Sequence, residues 1–205
     1  MSADERLFVV DALDMAAIVD ALRRRGATSL PILNDPFRRR LLDEARRRPY
    51  RRARDVVDSG DRIVRQDMDV CDDFARDSLF HLLGRRFGAL VEAGLEGVAP
   101  YPFATPLDLN DLMLQRYDTG SFGITPHRDR LRYINLVCLF TLGGNARFLI
   151  CADRSGRDAR EIDASPGTVI LMRAPGFLGS QERPFHAASD VREPRYSFGL
   201  RQTRP

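Results

Sequence analysis

The 205-residue chain, 43% hydrophobic and 30% charged, has the composition of an ordinary globular domain and length enough for one sizeable core. No segment approaches the roughly 18 apolar residues of a membrane span. Met1-Ser2-Ala3-Asp4-Glu5-Arg6 is charged and lacks a signal-peptide core, so a cytoplasmic location and no membrane partner are expected. Cys71, Cys138 and Cys151 are too widely spaced to form a zinc-ligand pair and read as reduced structural thiols. The net charge of +3 comes from 32 basic and 29 acidic residues; every basic residue is Arg. That bias reads as a genome-composition habit more than as a nucleic-acid signature.

Residues 4–10 predict a short strand. Asp14 to Arg25 predicts a helix, capped by Asp11 or Asp14 and stopped at Gly26. Thr28 to Leu33 reads as another strand. A second helix begins at Asp35 with Pro36 in its first turn, has Phe37, Leu41, Leu42 and Ala45 on one face, and ends at Pro49. Nine Arg against three acids lie between Asn34 and Arg54. They read first as a solvated helix face running into a basic loop, and second as a phosphate-binding surface.

Residues 52–70 predict a hairpin that turns at Asp58-Ser59-Gly60-Asp61, either a pocket wall or a sheet edge. Asp72 to Leu95 predicts the longest helix. Leu79, Leu83 and Leu90 form its stripe, widened by Leu82, Phe87 and Val91, and Gly84 and Gly88 allow close approach to a sheet. His81, within it, reads as a structural or surface histidine. After a proline-marked loop, strand candidates follow at 112–117, 133–142, 146–151, 161–164, 168–173, 185–188 and 196–201. Gly143-Gly144-Asn145, Ser155-Gly156 and Pro166-Gly167 read as turns between them. A helical front and an all-β back predict a sandwich or barrel covered by helices on one face.

Three features of the β half carry chemistry. His127-x-Asp129 places an imidazole and a carboxylate on the same side of extended chain, about 6.6 Å apart along the backbone. His186 is a candidate third ligand, and two His with one carboxylate suit non-haem Fe(II) with open positions. In the last strand, alternation puts Arg195, Ser197, Gly199 and Arg201 on one face and Tyr196, Phe198 and Leu200 on the other. Two interior Arg are costly to bury unless they meet anions, and a small dicarboxylate would serve.

From Gln115-Arg116-Tyr117-Asp118-Thr119-Gly120, through His127-x-Asp129, Thr141-Leu142-Gly143, the run Pro166 to Met172 and His186, to Arg195 and Arg201, the chain resembles the Fe(II)- and 2-oxoglutarate-dependent dioxygenases. Over roughly residues 109–202 it looks most like the AlkB-type enzymes. The resemblance implies a single α+β domain with a mainly β core. Residues 107–205 would form a double-stranded β-helix (jelly roll, cupin-like), and residues 1–106 a helical support and hairpin region packed on one face. It implies that His127, Asp129 and His186 bind iron, and that Arg195, Arg201, Tyr117, Gln115 and Ser197 hold 2-oxoglutarate, with O2 as cosubstrate. The His186-to-Arg195 gap is shorter than is usual in AlkB-type enzymes.

The implied activity is hydroxylation, or oxidative dealkylation, of a substrate that is most simply a small molecule, with release of succinate and CO2. An AlkB-type dealkylase of nucleic acid or protein is the second expectation, supported only by the basic stretch from Arg38 to Arg54. A non-catalytic jelly-roll binding protein is the third. Further pocket candidates are Arg128, Asn135, Arg147, Arg173 and the 52–70 hairpin.

Overall fold

The computed structural model describes residues 6–57 and 63–204. Among them are three α-helices: α1 (Met15–Arg25), α2 (Asp35–Arg46) and α3 (Leu79–Leu95). The strands are β1 (Ala27–Pro31), β2 (Arg51–Arg52), β3 (Val56–Val57), β4 (Val64–Arg65), β5 (Asp69–Cys71), β6 (Asp111–Tyr117), β7 (Ile124–His127), β8 (Tyr133–Cys151), β9 (Arg160–Ile162), β10 (Thr168–Arg173) and β11 (Phe185–Thr203).

Nine strands form one sheet. Its main path runs β1-β10-β8-β11-β6-β5-β2, with β7 added to β11 and β9 to β8. The two 19-residue strands organise it. Residues 137–141 of β8 and 195–201 of β11 pair with each other and with β10 and β6, making the helix-backed layer. Residues 148–150 and 186–188 pair with β9 and β7, making the second layer. The sheet therefore folds over itself as a double-stranded β-helix. The N-terminal half contributes β1, β2 and β5 to the same sheet.

The fold-over corrects one sequence reading. Gly143-Gly144-Asn145 does not end a strand; it is the bend inside β8, opposite the register shifts of β11 between Ser189 and Ser197. Gly144 has φ +80°, and a Cβ there would come within 2.1 Å of the Pro194 carbonyl oxygen, so only glycine permits so close an approach of the two chains. In the same way 185–188 and 196–201 are two ends of one strand.

The helices pack on one face. Asp14 caps α1 by accepting from the Ala17 N–H at 2.9 Å, and Gly26 closes it in the left-handed conformation. The predicted helix from Asp72 starts seven residues later, because Ser78 is the N-cap that accepts from the His81 N–H. Its buried stripe is Phe80, Leu83, Phe87, Val91 and Leu95, with Leu79 and Leu90 only half-buried. Phe80 and Phe87 meet Phe198 and Phe140 of the sheet at centroid distances of 4.7 and 5.0 Å. His81 is half-buried, edge-on to Phe74. Of the strand expected at 4–10, the described part makes a single bridge, Phe8 to Leu33.

The hairpin near residue 60 forms as β3 paired with β4; the expected turn lies outside the described residues. The three cysteines are free and buried. No helix among the described residues is long and apolar enough to cross a membrane.

Candidate active site

The register of the second layer brings the site together. β7 runs antiparallel to β11 so that His127 sits directly opposite His186, and the two rings lie 4.2 Å apart between centroids. Asp129 follows two residues beyond the end of β7. One ligand atom from each of His127, Asp129 and His186 lies within 4.8 Å of the others, a set that can hold a metal ion.

Each imidazole is oriented by a backbone carbonyl. His127 Nδ1 lies 3.0 Å from the Thr125 oxygen, and His186 Nδ1 lies 3.4 Å from the Pro184 oxygen. A carbonyl can only accept, so Nδ1 carries the proton and Nε2 keeps its lone pair for a ligand. Burial pushes the His127 pKa down to about 3; the neighbouring His186 adds to this, and Asp129 opposes it. Burial also lowers that of His186. For Asp129, burial favours the neutral form, but neighbouring positive charge, Arg201 foremost and Arg183 as well, outweighs it and holds the carboxyl below its ordinary value. At neutral pH the trio is two neutral imidazoles and a carboxylate, the protonation state that metal ligation requires.

A second polar cluster lies on β11. Alternation along the strand points Arg195 and Arg201 away from the helices, and both are buried. Arg195 Nη1 donates to Ser197 Oγ at 3.2 Å, and Ser197 Oγ donates to Gln115 Oε1 at 3.3 Å on the paired strand β6. Among the described residues, Nε and Nη2 of Arg195 have no hydrogen-bond partner. Burial lowers the Arg195 pKa, opposed by Tyr117, whose ring lies 5.6 Å from the guanidinium. Tyr117 is itself buried, which raises its pKa and keeps its hydroxyl protonated as a donor. Arg201 is 3.7 Å from Asp111 Oδ1, too long for a hydrogen bond, and leaves Nε and Nη1 unpartnered. Arg201 thus has Asp111 as a counter-ion, whereas Arg195 has no carboxylate partner among the described residues; burying such a cation costs roughly several kcal/mol, so its orphaned donors fit an anion.

Both clusters line one cavity of about 700 Å³. His127, Asp129, His186, Arg195, Arg201, Tyr117 and Gln115 all face it. Ser197 does not; it stands fully buried behind Arg195. The hairpin wall is present, through Val57, Val64, Gln66 and Met68.

Arg128 lines the cavity, but Asn135, Arg147 and Arg173 do not. Asn135 adopts φ +64° and ties the 104–105 loop to Gln202. Arg147 pairs with Glu161, and Arg173 pairs with Glu182 and caps carbonyls at the end of α1. Sequence reading missed Phe148, stacked on His186, and Arg183, whose guanidinium donates to the Asp129 carbonyl oxygen at 2.6 Å. It also missed Arg154 and Phe185 in the cavity wall. Only Phe185, next to His186, carried a local signal.

Neither a protein-family model nor a curated protein matches the sequence. Solved structures do match. A prolyl-4-hydroxylase from Pseudomonas putida superposes with TM-score 0.65 at 18% identity, covering 94% of this chain and 100% of that one. A 2OG-Fe(II) oxygenase family oxidoreductase from Burkholderia pseudomallei gives 0.58 at 18% identity, covering 96% and 94%. The structure of OsALKBH1 gives 0.60 at 16% identity, covering 87% and 99%. The fold is the one these oxygenases share. The likeness spans nearly the whole chain, including the helical front, and takes in prolyl hydroxylases as well as an AlkB-type protein.

Proposed function

We propose that this protein is a non-haem Fe(II)- and 2-oxoglutarate-dependent oxygenase that hydroxylates, or oxidatively dealkylates, a small organic substrate. One observation carries the reading. Arg195, 2% exposed and with two orphaned donors, lines the same cavity as a His-Asp-His set whose ligand atoms cluster within 4.8 Å. A metal triad alone serves many purposes, and a buried arginine alone is a liability. Together they fit a metal and a dicarboxylate held side by side.

His127, Asp129 and His186 would hold the iron, and Arg195 one carboxylate of 2-oxoglutarate. When bound, iron with 2-oxoglutarate and O2 supplies an oxidant for a C–H bond, with succinate and CO2 as coproducts. The chain's own contribution is positional. Thr125 and Pro184 carbonyls fix the two imidazole planes. The Gln115–Ser197 pair fixes the Arg195 fork, whose bidentate geometry suits a carboxylate. Tyr117 offers a protonated hydroxyl beside it. Asp129 supplies a full carboxylate ligand, which favours hydroxylation over halogenation because no ligand position is vacated for a halide. Met113, Leu139 and Phe148 give the cavity apolar walls that exclude water from the reacting centre.

The test is succinate formation from 2-oxoglutarate by the purified protein with Fe(II) in air, with no added substrate. Slow uncoupled succinate release that stops when either iron or oxygen is withheld is expected. No succinate and no Fe(II) binding would overturn the proposal and leave a binding protein of the same fold.

A further inference from the structure

Beyond the two arginines assigned to 2-oxoglutarate, the cavity wall is markedly basic. Arg54, Arg128, Arg130 and Arg154 all line it, and none pairs with an acid among the described residues. Among the described residues, the only carboxylates lining the cavity are Asp129, in the triad, and Asp72, which is paired with Arg51. Arg128 lies between the two β7-side ligands in sequence, and its guanidinium sits 4.1 Å from the Phe185 ring centroid. Arg154 reaches the same ring at 5.7 Å, while donating to the Ile63 carbonyl of the hairpin at 3.3 Å. Two cations thus gather on one aromatic plate beside His186, with Arg54 entering from the hairpin side.

This clustering departs from how the chain treats its other arginines. On α2 and the loop after it, Arg38, Arg39, Arg46, Arg48, Arg51 and Arg52 pair with Asp or Glu. Most of the basic stretch singled out in the sequence is therefore paired with carboxylates, and only its end, at Arg51 and Arg54, lines the cavity. The unpaired charge converges on one pocket of about 700 Å³ walled by the hairpin. Arg54, Arg128 and Arg130 are exposed and Arg154 half-buried, so the guanidinium groups are open to a ligand entering from solvent. Convergent guanidinium groups recognise carboxylates and phosphates, and their field draws such ligands in.

We infer that the substrate of this site is a small organic anion, carrying a carboxylate or phosphate that docks on Arg128 and Arg154 over Phe185. The inference rests on the oxygenase reading for the word substrate, but its test reads binding alone. Full-length protein loaded with Mn(II) and saturating 2-oxoglutarate, so that Arg195 and Arg201 are engaged, is titrated calorimetrically with phenyl phosphate, benzoate and benzyl alcohol. At least one of the two anions should bind, and the one that binds names the anionic group. Its affinity should fall tenfold or more in Arg128→Gln and further in Arg128→Gln/Arg154→Gln, while Arg147→Gln, paired with Glu161 outside the cavity, leaves it unchanged.

Arg128→Gln keeps the test sound if loss of the Arg154–Ile63 bond loosens the hairpin, since among the described residues Arg128 makes no hydrogen bond to it. Equal binding of benzyl alcohol, anion binding indifferent to Arg128, or binding only of a single-stranded oligonucleotide would each overturn the inference. Uncoupled succinate release with no anion binding would overturn this inference and leave the oxygenase reading standing. Anion binding without succinate would do the reverse.

Discussion

On one side of β11, Phe198 and Leu200 are fully buried against α3 and β8. On the other side Arg195, Ser197 and Arg201 are buried almost as deeply, yet four guanidinium nitrogens there lack hydrogen-bond partners. Neighbouring residues of one strand thus face opposite environments, because side chains alternate across a sheet. The apolar face repays its burial within the folded chain. The polar face leaves guanidinium donors unmatched, and on the proposed function 2-oxoglutarate would match them. If the polar face holds a ligand as proposed, substitutions should divide along the same line: loss of stability on one face, loss of binding on the other.

The largest expected effect is on the ligand side. His127→Ala or Asp129→Ala should reduce succinate formation to the no-enzyme background, with a melting temperature close to that of the parent. Retained turnover in either variant would break the assignment of the cavity face to metal chemistry. Phe198→Ala should do the opposite. Deleting a fully buried ring that touches Phe80 and Phe140 should cost about 4 kcal/mol of stability, read as a shift in denaturant midpoint. Protein that remains folded should still bind 2-oxoglutarate.

Arg195→Met tests both faces at once. Losing the charge-assisted fork should weaken 2-oxoglutarate binding by on the order of tenfold to a hundredfold, seen as a raised half-saturating concentration. The same change removes an unpaired buried cation, so the ligand-free variant should be more stable than the parent by roughly 1 kcal/mol. A variant that binds poorly and also melts earlier would mean that Arg195 is a structural residue, and the contrast between the faces would fail.

The parts of the site legible in the sequence were those set by short periods. Arg195 and Arg201, separated by six positions of a period-two strand, had to share a face, and His127-x-Asp129 had to share a side. What escaped depended on pairing register. Gly143-Gly144-Asn145 has the composition of a turn, and only its pairing opposite the β11 register shifts shows it as a bend through which the strand continues. Asn135 and Arg173 looked like pocket residues because polar side chains in apolar strands invite that reading. Asn135 instead sits at a positive φ where its side chain bonds a loop, and Arg173 turns to the carbonyls at the end of α1. Arg154 was invisible because no local pattern distinguishes one loop arginine from another; tertiary folding places it on Phe185.

The smallest effect tests the helix-backed face from its other side. Gly84 and Gly88 are one helical turn apart in α3, and the sequence assigned both to close packing. A Cβ at Gly84 would meet Leu200 at 3.4 Å, whereas one at Gly88 would meet nothing within 4 Å. Gly88→Ala should therefore stabilise the protein by about 0.5–1 kcal/mol, the helix-propensity and unfolded-state gain unopposed by any contact. Gly84→Ala gains the same propensity but must also fit against Leu200, so its net change should be smaller. Thermal or denaturant unfolding of the two variants measures the difference directly. Equal gains would mean that α3 can move off β11 at no cost, and that the apolar face of the strand is less tightly specified than its buried phenylalanines imply.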